Sequence, residues 1–91
     1  MKENGSELTV YPNPAKETVN LEYVNSDQQD YVKIFISDVT GKVVSITDWK
    51  LADGVNSNSV SLKKLADGVY FVTLKNNING ATMLQRKIIK N

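Results

Sequence analysis

The chain has no cysteine and no histidine. Without cysteine no disulfide staples the fold, which leaves the cellular compartment open. Without either residue there is no Ser-His or Cys-His dyad and no His or Cys zinc site. An excess of charge of one sign is also lacking: 11 basic residues face 10 acidic ones, for a net charge of +1. That balance carries no footprint for nucleic acid or an anionic membrane. No apolar run approaches the ~18 residues of a membrane span and no signal-peptide core is present, so direct membrane insertion is not expected. At 91 residues the chain is long enough for one core and too short for a core plus a deep catalytic cleft.

Carboxylates are the remaining route to acid–base chemistry. Asp27, Asp30, Asp38, Asp48, Asp53 and Asp67 fall in predicted loops or turns, where Asp bonds nearby backbone. A structural role is read for each. No Asp-x-Asp-x-Asp-Gly loop is present, and only Asp48, Asp53 and Asn56 stand as an outside candidate for calcium. No catalytic residue, metal or cofactor is expected.

What the chain does hold is a series of short strands separated by turn residues. Residues 1–7 are polar and read as the end of a linker behind an introduced start methionine; residues 8–91 read as the domain. Leu8-Thr9-Val10-Tyr11 is a short strand stopped by Pro12-Asn13-Pro14, where two prolines remove two donors. Val19, Leu21 and Tyr23 alternate with Thr18, Asn20 and Glu22, the pattern of a half-buried strand. Residues 31–37 put Val32, Ile34 and Ile36 on one face. Asp38-Val39-Thr40-Gly41-Lys42 is a turn with Gly41 at positive φ. Residues 43–49 return as a strand with Val44 and Ile46 in phase. Asp53-Gly54 turns the chain again, residues 56–59 read as loop, and Val60 and Leu62 mark a short strand. Residues 76–80 read as a hairpin loop and residues 81–89 as the last strand.

The organising stretch is Leu65-Ala66-Asp67-Gly68-Val69-Tyr70-Phe71-Val72-Thr73-Leu74. Asp67-Gly68 reads as a tight turn, and six β-branched or aromatic-rich positions follow without a breaker. Tyr70, Val72 and Leu74 share the apolar face. This Leu-x-x-Gly-x-Tyr entry resembles the tyrosine corner of immunoglobulin-like sandwiches, in which the phenol bonds backbone a few residues upstream. Leu-Ala-Asp-Gly-Val occurs at 51–55 and again at 65–69, and is read as one turn used twice. About seven strands and no helical pattern specify an all-β, immunoglobulin-like antiparallel β-sandwich.

Four pieces in order carry a family resemblance. They are Tyr11-Pro12-Asn13-Pro14, the turn through Gly41, the Gly68-x-Tyr70 strand, and the terminal Lys87-Ile88-Ile89-Lys90. Together they resemble the type A C-terminal sorting domain of the type IX secretion system, over residues 8–90. The resemblance implies a domain that catalyses nothing and directs a cargo protein lying N-terminal to it. It implies folding in the periplasm, recognition by the outer-membrane translocon, and removal at the cell surface by a sortase-like peptidase, with the cargo released or anchored. Pro12, Asn13, Pro14, Gly41, Gly68 and Tyr70 then match structural motif positions, and Lys87, Ile88, Ile89 and Lys90 the positions that the translocon recognises. The last strand is expected at a sheet edge with unpaired backbone, and loss of residues 87–91 is expected to leave the domain folded though weakened. Processing is expected at or before residues 4–7. Two other readings remain: a carbohydrate-binding or adhesion module with Trp49, Tyr11, Tyr23 and Tyr31 as its aromatic platform, and a passive spacer.

Overall fold

The alternating segments pair into two antiparallel sheets. The computed structural model describes residues 7–25, 31–76 and 80–91. Seven strands run in chain order: β1 (Glu7–Tyr11), β2 (Thr18–Asn25), β3 (Tyr31–Asp38), β4 (Val43–Lys50), β5 (Gly54–Ser61), β6 (Gly68–Asn76) and β7 (Thr82–Lys90). One sheet has the order β1-β2-β5 and the other β4-β3-β6-β7. The two sheets face each other as an immunoglobulin-like sandwich, with no helix among the described residues.

The core forms where the period of two places it. Val19, Leu21 and Tyr23 from β2 meet Val32, Ile34 and Ile36 from β3 and Val72 and Leu74 from β6, all fully buried. Register holds these rows together: Ile34 lies opposite Leu74, Ile36 opposite Val72 and Tyr70 opposite Ile88. The linker reading of residues 1–6, the loop at 26–30 and the hairpin tip at 77–79 lie outside the described residues.

The tyrosine corner forms. Tyr70 Oη donates to the Ala66 carbonyl at 2.6 Å, and the ring is buried. Gly68 takes φ +153° and Gly41 φ +89°, as the turns require of residues without a Cβ. The repeated pentapeptide is one device used twice. Each copy lies where the chain passes between sheets, and each Gly opens the next strand. In both, a side chain four residues beyond the alanine donates to its carbonyl: Asn56 Nδ2 to Ala52 at 2.9 Å, and Tyr70 to Ala66.

Two strands differ from the pattern-based expectation. Residues 56–59, expected as loop, lie within β5, which pairs with β2 from Thr18 opposite Ser61 to Asn25 opposite Gly54. Asn and Ser are poor strand formers. Here β2 offers an unbroken row of backbone partners, and Ser59 Oγ donates to Asn20 Oδ1 at 2.7 Å across the pair. In β4, Val44 and Ile46 are out of phase. Ile36 faces Ser45 while Ser37 faces Val43, so Val44 is the extra residue of a bulge. Val44 packs against the core, whereas Ile46 is 58% exposed.

Candidate recognition surface

The four motif pieces, spread from residue 11 to residue 90, gather at one end of the four-stranded sheet. Asp38 closes β3 opposite Tyr70, and Tyr70 lies opposite Ile88. The turn holding Gly41 therefore lies beside the tyrosine corner, and the corner lies beside the end of β7. Gly68 is opposite Lys90, and Lys90 Nζ reaches Asp67 Oδ1 at 3.5 Å.

The proline motif joins them from the other sheet's hairpin. Asn13 acts as a two-pronged clip: its Nδ2 donates to the Lys87 carbonyl at 3.1 Å, and its Oδ1 accepts from the Ile89 N–H at 2.9 Å. Ala15 extends the contact as a short parallel bridge to Lys90. Its N–H donates to the Ile89 carbonyl at 2.7 Å, and its carbonyl accepts from the Asn91 N–H at 3.0 Å. Prolines at 12 and 14 have no N–H to offer, so side-chain amide and alanine backbone do the pairing.

This corrects the expectation of an unpaired terminal edge. Along residues 87–91 the outward backbone groups of Ile89, the Lys87 carbonyl and the Asn91 N–H are already bonded. The four terminal motif residues also differ in access. Ile88 is fully buried and the Lys90 side chain is 13% exposed, whereas Lys87 is exposed and Ile89 is 38% exposed. Loss of residues 87–91 would remove a core side chain and undo the clip.

The β3–β4 turn is built by Asp38. Its Oδ1 accepts from Thr40 Oγ1 at 2.6 Å, Thr40 N–H at 2.9 Å and Lys42 N–H at 3.0 Å. The Thr40 hydroxyl holds this carboxyl below its ordinary pKa; desolvation opposes it, and the two backbone donors and the Lys42 charge add to the lowering. Of the other acidic candidates, Asp27 and Asp30 lie outside the described residues, and Asp67 meets Lys90 Nζ at 3.5 Å. Asp48, expected in a turn, lies inside β4 and meets Lys33 Nζ at 2.6 Å. Asn56 spends its amide on Ala52 and Gly54. A cleft of about 290 Å³ lies between β4 and the residues after β5, lined by Val44, Ser45, Ser61, Lys63, Lys64 and Leu65, with no carboxylate.

The aromatic platform does not form. Trp49 is 6% exposed and Tyr23 fully buried, their rings tilted at 57° with centroids 6.3 Å apart. Tyr11 and Tyr31 are exposed but belong to different sheets. The feature that sequence reasoning missed is the outer face of the four-stranded sheet, which carries Ile46 opposite Phe35, Val69 opposite Ile89, and Phe71 between those pairs on β6. Its signal was present: β3 and β6 carry large apolar residues at both parities.

Comparison with known proteins gives a family and a fold. The sequence matches the family model of the secretion system C-terminal sorting domain over residues 9–91. No curated protein matches it. Among solved structures it is similar to dimeric latent PorU from Porphyromonas gingivalis, with a TM-score of 0.73 and 16% sequence identity. The match covers 99% of this chain and spans about a tenth (10%) of that one, and it shows a shared fold. The chain belongs to the family of secretion system C-terminal sorting domains, a non-catalytic family of type IX sorting signals that mark proteins for export.

Proposed function

We propose that this domain carries a cargo protein, N-terminal to it, from the periplasm through the outer-membrane translocon of the type IX system to the cell surface. A sortase-like surface peptidase then separates domain and cargo, cutting at or just before residues 4–7. The reading is supported by the family match over residues 9–91 and by the convergence of the family's motif residues at one end of one sheet. In this reading Lys87 and Ile89 meet the apparatus, while Ile88 and Lys90 hold the strand in place. Pro12, Asn13, Pro14, Gly41, Gly68 and Tyr70 shape the end of the sandwich that presents them. Residues 8–91 act as the folded unit and residues 1–7 as its link to the cargo.

The test is a fluorescent reporter fused ahead of the whole chain, behind a signal peptide, in cells with and without an intact type IX apparatus. The reporter is expected in the medium or on the surface of competent cells and in the periplasm of deficient ones. Mass spectrometry of the exported reporter then places the cut. Equal export in both strains contradicts the proposal, and a mature end downstream of Tyr11 contradicts the processing step.

A further inference from the structure

The two outer faces of the sandwich differ in chemistry. On the three-stranded sheet the outward positions are largely small and polar, among them Thr9, Asn20, Glu22, Ser57 and Ser59, with Tyr11 and Val55 as the exposed large apolar residues. On the four-stranded sheet, cross-strand pairing sets Ile46 beside Phe35, Phe71 beside Lys87 and Val69 beside Ile89. Ile46, Val43, Tyr31 and Ile89 on this face are 58%, 43%, 44% and 38% exposed. The apolar residues step diagonally from Ile46 and Phe35 to Phe71, Val69 and Ile89, past Thr73 opposite Phe35 and Ser37 opposite Phe71, and this diagonal band ends on the exposed half of the terminal motif.

Lysines border the band. Lys33, Lys50, Lys75 and Lys87 face outward on these strands, and Asp48 is the single outward carboxylate on them among the described residues. Lys33 pairs with Asp48, which leaves Lys50, Lys75 and Lys87 with no carboxylate on the face among the described residues. Lys75 Nζ lies 4.7 Å from the centre of the Phe35 ring, so a cation rests on the band itself. The backbone edge beside this face is closed along residues 87–91 by Asn13 and Ala15. What the terminal motif offers a partner is the side chains of Lys87 and Ile89, and both belong to this face.

We infer that the domain is read on the outer face of its four-stranded sheet, by a protein surface with an apolar centre and carboxylates around it. The inference rests on the sorting reading given above and names the surface that reading leaves open. An apolar band excludes water from the lysine contacts, and the lysines orient the encounter. A second copy of the chain is a poor occupant, because pairing this face with itself brings two sets of lysines together and supplies no outward carboxylate beyond Asp48, already paired with Lys33, among the described residues.

The test uses a matched pair of exposed residues on opposite faces. Ile46 and Val55 are 58% and 66% exposed, so an aspartate at either is expected to leave the core intact. In the reporter fusion, Ile46→Asp and the double variant Lys75→Glu/Lys87→Glu are each expected to lower export at least about tenfold. Val55→Asp is expected to export as the unchanged chain does, and each purified chain is expected to melt cooperatively. If Ile46→Asp fails to fold, Lys87→Glu, wholly on the surface, gives the answer alone. Normal export of the folded face variants, with the unchanged chain exported, overturns this inference and leaves the sorting reading standing. Failure of the unchanged chain to be exported overturns both. Sedimentation of the purified chain and its binding to phosphatidylglycerol-containing vesicles test the other occupants. A dimer, or a vesicle complex, abolished by Ile46→Asp contradicts the committed partner chemistry.

Discussion

Tyr70 and Asp38 each hold a turn by side-chain bonds, and Gly68 by its backbone conformation; a single substitution removes each. Tyr70→Phe deletes the phenol donor to Ala66 and is expected to cost ~0.5–1.5 kcal/mol. Gly68→Val is expected to cost more, ~1–3 kcal/mol. A Cβ at Gly68 meets no atom within 4 Å, so the cost is one of backbone conformation at φ +153°, which a β-branched residue avoids. Thermal melting checks both, and a wild-type midpoint for Gly68→Val contradicts the account. Asp38 gives the pH prediction. Its folded-state pKa lies below the unfolded one, through the Thr40 hydroxyl first and the backbone donors after it. Its contribution is present above the unfolded value and is lost as pH falls through the folded one. An NMR titration of the carboxyl is expected to show a midpoint below the ordinary range, and Thr40→Val is expected to raise it. A midpoint at or above that range removes Asp38 as the anchor of the turn.

At the scale of elements, the terminal strand and the proline motif lock each other. Asn13→Ala removes two bonds to β7 and is expected to cost ~1–2 kcal/mol. Its signature is local: the Ile89 amide, whose outward partner is Asn13, loses protection from hydrogen exchange, while the Ile88 row against Tyr70 keeps it. Unchanged exchange at Ile89 contradicts the clip. Deleting residues 87–91 is a different perturbation. It removes fully buried Ile88, a change of ~2–5 kcal/mol even as Ile→Ala, within a total stability of ~5–15 kcal/mol. Loss of export in such a truncation reports lost fold as readily as a lost signal, so point variants at Lys87 and Ile89 are the sharper tool.

These elements also show what was legible. Strands β2, β3 and β6 were readable because their apolar residues fall at a period of two on one buried face. The turn glycines were readable because an aspartate, an asparagine or a threonine preceded them in a breaker-rich stretch. β5 was not, since Asn56, Ser57, Asn58 and Ser59 carry no strand propensity and take their conformation from pairing with β2. The phase of β4 was hidden by a bulge at Val44 that moves Ile46 to the outside. The clip was hidden because Asn13 meets residues 74 and 76 positions away, and no local pattern encodes such a contact. The resemblance drew the motif residues into one list; the sandwich shows that they share one place.

For the whole molecule, one core supports two unlike faces, and one end of one sheet collects the motif. The account assigns contact with the secretion apparatus to the face carrying Ile46, Phe71, Lys87 and Ile89, and leaves the Ser- and Thr-rich face to solvent. The most direct measurement places a photoreactive amino acid at position 46, or at position 55 as the control, in the fusion expressed in living cells. Adducts are identified by mass spectrometry. The account predicts an adduct between position 46 and an outer-membrane component of the type IX apparatus in competent cells, its loss in deficient cells, and none from position 55. Adducts to that component from position 55 and none from position 46, in cells that export the fusion, would contradict it.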